Sequence, residues 1–387
     1  MLGRKQKAKV AAPEQKGSAL SDLISLYGLG NARWSGRDAA SLAHTGFKRN
    51  VIAYRCVQMI SDAAASVPLT VCHQGERLSD HPLCRLLAAP NPDQSGQAMF
   101  EALYGHLQIS GNAYIEIIGG DAGPIALYLL RPDRVDVELG RDGWPTAYVY
   151  RTGSGRRTIT RRPDGTLPVL HLKLFNPIDD QYGQSPLQVA GNAVDLHNAS
   201  VEWNKSLLDN AARPSGALIY RGVDGATSLT GDQFDRLKAE LEETFQGNRH
   251  AGRPMVLDGG LDWKPMSLSP AEMDFMSLKN SAARDIALAF GVPPMLLGIP
   301  GDNTYSNYRE ANLSFWRQTV LPLIGKVATA LSKDLAEDMV DIGFDVDSID
   351  ALQEQRMARL ETLLSADVLT DAEKRMALGY PSVPEAQ

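Results

Sequence analysis

The hydrophobic pattern of this chain changes its period twice, and this change limits the possible folds more than any other feature. From Asn50 to Val67 apolar residues recur at helical spacing, and Pro68 ends the pattern. Between about 112 and 175 apolar and polar residues alternate, as in RVDVEL, which is typical of half-buried strands. Helical spacing returns from Ser185 onwards. The pattern predicts an α+β fold with a small antiparallel β domain between helical segments.

Capping residues mark the ends of further predicted helices. Asp93 or Ser95 is expected to begin one helix, and Gly111 to follow its end. Near the C-terminus, Asp347 or Ser348 is expected to cap another helix. A final helix is predicted to begin with a capping box, in which a Thr and a Glu three residues later bind each other's backbone N–H groups. These two residues are Thr370 and Glu373.

Two strong helical patterns lie on either side of a long polar loop. The first runs from Asp274 to Phe290 and stops at the sequence GVPP. The second begins near Tyr308, and Pro322 is expected to kink it. The loop between them, 293–308, carries no visible nucleophile, metal cluster or phosphate cradle. From the residues alone, an ordinary surface loop is the favoured interpretation, and a functional loop is the alternative.

The helix predicted to start at Ser185 carries a mixed seven-residue repeat. Its apolar positions are Leu187, Val194, Val201 and Leu208, and Ala190, His197 and Asn204 lie between them. A seam that mixes apolar and polar residues suits a contact with a neighbouring subunit better than a dry interior. We therefore predict that the four apolar positions form an inter-subunit seam.

The composition excludes several classes of protein. The 387 residues carry a net charge of −7, with a pI near 5.6, which argues against a protein that holds nucleic acid on a basic surface. Three cysteines are too few for a disulfide framework and favour a reducing compartment, the cytoplasm in which the chain is made. The first residues lack the apolar region of a signal peptide, and no segment has the length and apolarity of a membrane span.

The search for catalytic motifs returns none. The chain has no phosphate-binding P-loop, no G-x-S-x-G and no H-E-x-x-H. Cys72 and His73, followed by His81 and Cys84, are zinc-ligand types, but their spacing matches no common zinc motif, and we favour a site without metal. We expect no catalytic residue, no metal, no cofactor and no enzymatic activity, which favours a structural or assembly role.

The remaining polar groups have ordinary structural interpretations. Asp179 and Asp180 fit a solvated turn better than an acid/base pair. His171 is expected on a sheet face, and His197 at a packing or interface position. A cluster of arginines fits a solvated hairpin tip better than a partner or phosphate contact. These arginines are Arg156, Arg157, Arg161 and Arg162.

Several segments, taken in order, resemble the portal proteins of tailed bacteriophages, in the short-chain subgroup of long-tailed phages. These segments are RNVIAYRCVQMISDAAASVPLTV, GNAYIEI, LYLLRPDRVDV, YGQSPL, LSPAEMDFMSLKNSAARDIALAFGVPPMLLG and NTYSNYREANLSFWRQTVLPLI. The resemblance covers roughly residues 47–380. The resemblance depends on the whole series of segments in this order, since no single motif is decisive. Members of this family also occur in prophages and gene transfer agents, and the sequence does not distinguish these origins.

The resemblance implies a portal fold with wing, stem, clip and crown regions, in which subunits, usually twelve, form a ring around a central channel. The implied regions are a mobile N-terminal arm (1–46), the wing (47–184), a first stem helix (185–214), the clip of strands plus one helix (215–267), a second stem helix (268–291), a tunnel loop (292–308), a long kinked wing helix (309–340) and the crown (341–387).

The resemblance also implies a function and a set of partners. A portal ring occupies one capsid vertex of a virion or phage-like particle and conducts double-stranded DNA during packaging and ejection. Its implied partners are further copies of the chain, double-stranded DNA, the terminase large subunit, a head-tail adaptor protein and the major capsid protein, without a membrane. A small-molecule enzyme that uses 293–308 as an active-site lid, or a nucleic-acid-binding module, is the alternative.

The resemblance implies that the polar loop faces DNA in the channel. The neutral polar residues expected to line the channel are Asn303, Thr304, Tyr305, Ser306 and Asn307. The residues expected to act as hinges of the loop are Pro293, Pro294, Gly298 and Gly301. Neutral polar groups touch phosphates weakly, whereas a basic lining would hold the DNA tightly.

Overall fold

A computed structural model of the protein describes most of the chain. The described residues are 36, 39–120, 123–153, 155–209, 216–220, 261–265, 275–301, 305–336, 339–365 and 370–377, with the single positions 232, 235, 236 and 239. Most of the predicted clip, 215–267, lies outside these residues.

The described residues form α-helices, short 3₁₀ turns, π-helical segments and four small sheets. The α-helices are α1 (Ala39–Leu42), α2 (Val51–Ser66), α3 (Pro82–Ala88), α4 (Gly96–Ser110), α5 (Pro186–Val189), α6 (Gly191–Asp209), α7 (Phe275–Phe290), α8 (Tyr305–Ser314), α9 (Leu321–Leu335), α10 (Asp350–Leu364) and α11 (Asp371–Ala377). Short 3₁₀ turns are Pro132–Arg134, Pro294–Leu297 and Val346–Ser348, and π-helical segments are Ala43–Phe47 and Phe315–Val320.

The strands form antiparallel sheets of two or three strands. They are β1 (Leu69–His73), β2 (Glu76–Leu78), β3 (Asn112–Gly120), β4 (Gly123–Leu130), β5 (Val135–Leu139), β6 (Pro145–Thr152), β7 (Gly155–Thr160), β8 (Val169–Lys173), β9 (Gly216–Tyr220), β10 (Leu261–Pro265) and β11 (Val340–Phe344). The strand orders are β11-β1-β2, β4-β3-β8, β5-β6-β7 and β9-β10. The strands predicted between 112 and 175 therefore pair antiparallel, as the alternating pattern indicates.

Helix α2 lies at the centre of the main core. It packs against α4, α7 and α9, and its inward face carries Ala53, Val57 and Ile60, which are buried. Asn50 caps its first turn, because the side-chain oxygen accepts hydrogen bonds from the N–H groups of Ile52 and Ala53. Burying this apolar face holds the surrounding helices together, as the helical spacing predicts.

The ends of α4 lie where the sequence places them. Ser95 is the N-cap, and its hydroxyl accepts a hydrogen bond from Ala98 N–H. Gly111 follows the last turn with φ 76°, a left-handed conformation that favours glycine. The chain then turns directly into β3, so α4 and the small β domain are joined without a linker.

The two three-stranded sheets of the β domain are joined by an ion pair. Glu116 on β3 accepts two hydrogen bonds from the guanidinium of Arg157 on β7, and the Glu116 side chain is buried. This carboxylate is the largest cause of the raised pKa of Arg157. The two partners bind in the bidentate geometry that gives charge-assisted hydrogen bonds their strength. The arginine cluster is therefore not entirely a solvated hairpin tip, because Arg157 links two sheets.

The boundary predicted for the N-terminal arm is wrong at its C-terminal end. Residues 39–42 form α1 and residues 43–47 continue it as a π-helical segment. Leu42 and Gly46 are buried, and a Cβ added to Gly46 would come within 2.7 Å of the Leu187 side chain. Since this segment packs against α5, it belongs to the body of the protein rather than to an arm that ends at residue 46.

The boundary predicted for the crown also shifts. Residues 340–344 form β11, which pairs along its whole length with β1, with Val71 opposite Ile342. The predicted crown, 341–387, therefore gives its first residues to a sheet built from the N-terminal half of the chain. The sequence pattern did not indicate this strand, whose partner β1 lies far away in the sequence.

Of the two helices after β11, only the second begins at its predicted N-cap. Asp345 caps the 3₁₀ turn, and α10 begins after Ile349, so neither Asp347 nor Ser348 is the N-cap of that helix. The capping box predicted at the start of α11 is confirmed. Thr370 Oγ1 accepts a hydrogen bond from Glu373 N–H at 3.3 Å, and Glu373 Oε2 accepts one from Thr370 N–H at 2.8 Å.

Candidate functional site: the loop between two helices and the exposed face of α6

The loop after α7 is anchored at its first residue. Gly291 has φ 68° and ends the helix in a left-handed conformation, and its carbonyl accepts a hydrogen bond of 2.6 Å from the Thr319 hydroxyl. A Cβ at Gly291 would lie 2.7 Å from Thr319 Oγ1. Only glycine therefore allows both the turn and this close contact.

The next residues form a short turn that packs back onto α7. Pro294–Leu297 is a 3₁₀ turn, and Gly298 ends it with φ 71°. Ile299 is buried against Ala283 and Ala287. Pro293, Pro294 and Gly298 thus lie at the two ends of this turn, and their role as hinges stays a prediction.

Arg284 ties the far end of this turn to α7. Its guanidinium donates to the carbonyl of Pro300. A Cβ at Gly301 would lie 2.9 Å from Arg284 Nη2, so glycine leaves room for the arginine. The base of the loop is therefore held by contacts at both ends.

The predicted channel-lining residues divide into two groups. Asn303 and Thr304 lie outside the described residues. Tyr305, Ser306 and Asn307 form the first turn of α8, so the loop is shorter than 292–308 and the helix begins three residues earlier than Tyr308. Ser306 and Asn307 are exposed. Helix α8 projects from the anchored base, with Arg309 paired to Glu354 of α10 at 3.2 Å.

The seam predicted on the first stem helix is wrong in two of its four positions. Leu187 and Val194 are 0% and 2% exposed and belong to the main core of the same chain, so neither can meet a neighbouring subunit. Val201 is exposed, and the side chain of Leu208 lies outside the described residues. A seven-residue period indicates that one face of a helix is apolar. It does not show whether that face packs against the same subunit or against another one.

A second apolar stripe with the same period lies on the opposite face. Val189, Leu196 and Trp203 recur every seven residues and are between 38% and 61% exposed. They stand two residues after Leu187, Val194 and Val201, which corresponds to about 200° of rotation around an α-helix. Together with the polar Asn192 and with Ala199, which are also exposed, they form a largely apolar stripe that faces solvent. We call these five residues the outer stripe.

A buried polar network fixes the base of α6. Asn50 Nδ2 lies 2.9 Å from Asn198 Oδ1 and 3.2 Å from His197 Nδ1, and Asn198 Nδ2 donates to the carbonyl of Thr45. Burial, with a smaller contribution from Lys279, lowers the pKa of His197. His197 is therefore a packing residue inside the subunit, and the network orients α6 relative to α2.

The other histidines singled out above have structural surroundings. His171 stacks on Tyr114 with ring centroids 4.2 Å apart, and its Nε2 lies 3.1 Å from Asn112 Oδ1. Burial lowers the pKa of His171 to about 3. The prediction of a histidine on a sheet face is thus confirmed for His171.

The paired acids and the candidate zinc ligands also take part in local structure. Asp179 Oδ1 accepts from the N–H groups of Gln181 and Tyr182, the pattern of an Asx turn. His81 caps α3 through its Nδ1. In the described part of the chain, no group of three or more His, Cys, Asp or Glu residues is arranged to hold a metal ion. Of the described helices, none has the length and apolarity needed to cross a membrane.

Comparison with known proteins identifies the family. Residues 52–379 match the sequence profile of the phage portal protein family. An uncharacterized protein of Rickettsia bellii (strain RML369-C) is 43% identical over 345 residues, which are 88% of this chain and 89% of that protein. The portal protein of Enterobacteria phage HK97 is 26% identical over 72% of this chain and 65% of its own length.

Solved structures give the same result. A chain from the neck of an empty gene transfer agent particle, computed with C6 symmetry, is 45% identical and has a TM-score of 0.69 over 92% of this chain and 97% of its own length. A second, from a native particle neck computed with C12 symmetry, is 46% identical with a TM-score of 0.67 over the same shares. An HK97-family phage portal protein from Corynebacterium diphtheriae shares the fold, with a TM-score of 0.60 at 16% identity over 82% of this chain and 99% of its own. The chain therefore belongs to the phage portal protein family.

Proposed function

We propose that this chain is the portal subunit of a gene transfer agent or a related phage-like particle, and that it forms a ring at one capsid vertex through which double-stranded DNA passes. The observation that carries the proposal is the 45–46% identity to chains of gene transfer agent necks, over 92% of this chain. A portal protein is a component of the virion, and known members of the family are structural proteins. The chain is proposed to catalyse no reaction.

The outer stripe supports ring assembly. Large apolar side chains at helical spacing on a solvent-facing surface are typical of a protein–protein contact. Helix α6 packs along α7, so the stripe faces away from its own subunit. A ring needs a head-to-tail contact with a fixed rotation between neighbours, and a rigid helix pair can supply one side of that contact.

Ring formation can be tested by negative-stain images of the purified full chain, with mass photometry to count subunits. Rings with a central hole are expected. Leu196→Asp places a charge in the outer stripe and is expected to shift the protein to single subunits, because burying an unpaired carboxylate in the contact is unfavourable.

The matched control is Met357→Asp, an equally polar change at an exposed apolar residue of α10. It is expected to leave the rings intact. Purified wild-type protein that stays monomeric under all conditions contradicts the proposed function. Rings that survive Leu196→Asp show that the contact lies elsewhere.

The segment from Asn303 to Asn307 is proposed to face the DNA. The anchoring of its base by Thr319, Ile299 and Arg284 supports this role, because a loop beside moving DNA needs a fixed origin. The net charge of −7 and the neutral residues of the segment keep the attraction for phosphate low, so that DNA can slide.

Introducing charge tests the loop. Asn307→Lys is expected to give rings that retain duplex DNA at low salt, and the affinity should fall steeply as salt rises. Glu76→Lys, at an exposed residue of β2, is the matched control and should not retain DNA. Equal retention by both variants would show that residue 307 does not face the channel.

The assignments of wing, stem, clip and crown, and the proposed partners beyond the ring, remain proposals. The proposed partners are the terminase large subunit, a head-tail adaptor protein and the major capsid protein. The region assignments and the partners are both inferred from the family. Cross-linking and mass spectrometry of the particle that contains this chain would identify the partners.

A further inference from the structure

The sheet β5-β6-β7 carries charges of opposite sign at its two edges. The segment 155–162, which includes β7, holds four arginines and no acid. The β5 side is mainly acidic. Its charged residues are Asp133, Asp136, Glu138, Asp142, Asp179 and Asp180, with Arg131, Arg134, Arg141 and Lys173, and Asp136 is paired with Arg151 of β6 at 3.3 Å. A three-stranded sheet is thus polarised from one edge to the other.

The acidic edge includes the loop 174–184 as well as β5. The N–H of Val137 donates to the hydroxyl of Tyr182 at 3.1 Å, and Gln181 Nε2 donates to the carbonyl of Gly143 at 3.0 Å. These bonds place the carboxylates of the loop beside those of β5. Trp144 and Ile178 lie on these two neighbouring turns and are 69% and 91% exposed.

The basic edge includes the β3–β4 hairpin. Arg157 binds Glu116 of β3, and Arg162 Nη2 donates to the carbonyl of Ile117 at 2.6 Å. The hairpin therefore stands beside β7. It exposes Ile118 and Ile125. Each edge of the sheet thus combines exposed apolar side chains with charges, and the sign of the charges differs between the edges.

We propose that the acidic edge of one subunit docks on the basic edge of the next, so that the small β domains form a second belt of contacts in the ring. This inference rests on the proposed function. A head-to-tail contact joins two different surfaces of the same chain, and opposite edges of one sheet are placed to meet in this way. Complementary charge guides the approach and fixes the register, and the apolar side chains lose solvent contact.

A second copy of the chain fits this surface better than DNA does. Only one of the two edges attracts phosphate, and Glu116 already neutralises Arg157 on that edge. The acidic edge repels DNA but attracts arginines. Both complementary surfaces are present on one chain, so no further partner is needed.

Charge reversal tests the contact in rings of the full chain. Asp180 and Arg156 are exposed. The backbone carbonyl of Asp180 accepts a hydrogen bond from Lys173 Nζ, and Arg156 lies opposite Arg151 in the ladder of β6 and β7. Asp180→Arg and Arg156→Asp are each expected to favour dissociation by about fivefold at each subunit interface, because an attraction becomes a repulsion. The double variant restores opposite charges and is expected to recover most of the loss. Mass photometry over a series of salt concentrations measures the fraction of closed rings.

Glu76→Arg, which makes the same charge change on the distant sheet β11-β1-β2, is the control and should behave as wild type. Single variants whose rings are as stable as those of the wild type, or a double variant no more stable than the weaker single variant, would overturn the inference and leave the proposed function standing. Wild-type protein that forms no rings would overturn both.

Discussion

At the scale of single residues, glycines allow backbone segments to approach each other where no side chain fits. Gly183, in the YGQSPL segment, lies against Gly111 and Leu174, and a Cβ on Gly183 would come within 2.1 Å of the Gly111 carbonyl oxygen. Asn112 completes the contact, because its Oδ1 accepts from Gly183 N–H at 2.8 Å. Gly183 lies in a segment that resembles the portal family, and close contacts inside the subunit explain why glycine stands at this position.

Gly183→Ala is expected to lower the free energy of unfolding by about 3 kcal/mol or more, because the new methyl group meets backbone atoms that cannot move independently. Urea denaturation followed by circular dichroism measures this loss. Gly153→Ala is the matched control, since nothing lies within 4 Å of a Cβ there. Equal stability of the two variants would contradict the steric explanation.

The half-buried His171 makes stability depend on pH. Its pKa of about 3 in the folded protein lies below the value of about 6.5 expected in the unfolded chain. The unfolded state therefore binds a proton first as the pH falls. His171 should contribute a loss of about 1.4 kcal/mol per pH unit from near pH 6.5 downwards.

The variant His171→Phe keeps the stacking on Tyr114 and removes this titration. The dependence of the unfolding free energy on pH should become shallower between pH 6 and pH 4, whatever the absolute stability. His73→Phe, at an exposed position, is the control and should keep the slope. An unchanged slope in His171→Phe would show that His171 is protonated in the folded protein.

At the scale of elements, a π-helical segment joins two α-helices and also anchors the loop. The sequence predicts one long helix with a kink at Pro322. In the structure, Phe315–Val320 is π-helical and Pro322 lies in the first turn of α9, where a missing N–H is tolerated. Thr319, within the π-helical segment, is the residue that binds the Gly291 carbonyl. The irregular segment therefore places the hydroxyl that holds the start of the loop.

Arg284→Met is expected to loosen the end of the same loop. Removing the guanidinium leaves the Pro300 carbonyl without this donor, and hydrogen exchange at Gly298 and Ile299 should become about tenfold faster, because a charge-assisted hydrogen bond is lost. Exchange measured by mass spectrometry tests this expectation. Arg55→Met, at an exposed position of α2, is the control. Unchanged exchange in Arg284→Met would show that Ile299 alone holds the turn.

At the scale of the whole molecule, β11 closes the chain onto its own N-terminal half. Ile342 is buried and lies opposite Val71, and Ser332 Oγ binds both the N–H and the carbonyl of Ile342. Helix α9 and β1 are thus joined through one short strand. This contact ties β11 to the main core, whose buried residues run from Leu42 to Ile349 along the chain.

Ile342→Ala is expected to lower the free energy of unfolding of the subunit by about 2–4 kcal/mol, because it leaves a cavity in that core. Val346→Ala, at an exposed position just after β11, should change stability by less than about 0.5 kcal/mol. Denaturant unfolding of single subunits measures both. If Ile342→Ala unfolded only the C-terminal residues and left the rest of the subunit folded, β11 would not be part of the core.

The sequence by itself determined features that depend on neighbours along the chain. Ser95 and Gly111 mark the ends of α4, the Thr370 capping box begins α11, and the strands between 112 and 175 follow from alternation. These features arise from backbone hydrogen bonds and side chains only a few residues apart. The α+β class and the family resemblance could be read at this level.

Only the tertiary structure decided which faces are covered. Val194 and Leu196 stand on the same helix and are both apolar, yet one is in the core and the other faces solvent. The pairing of β11 with β1 likewise depends on residues distant in sequence. The physical reason is that burial is a property of two surfaces, and a periodic pattern describes only one of them.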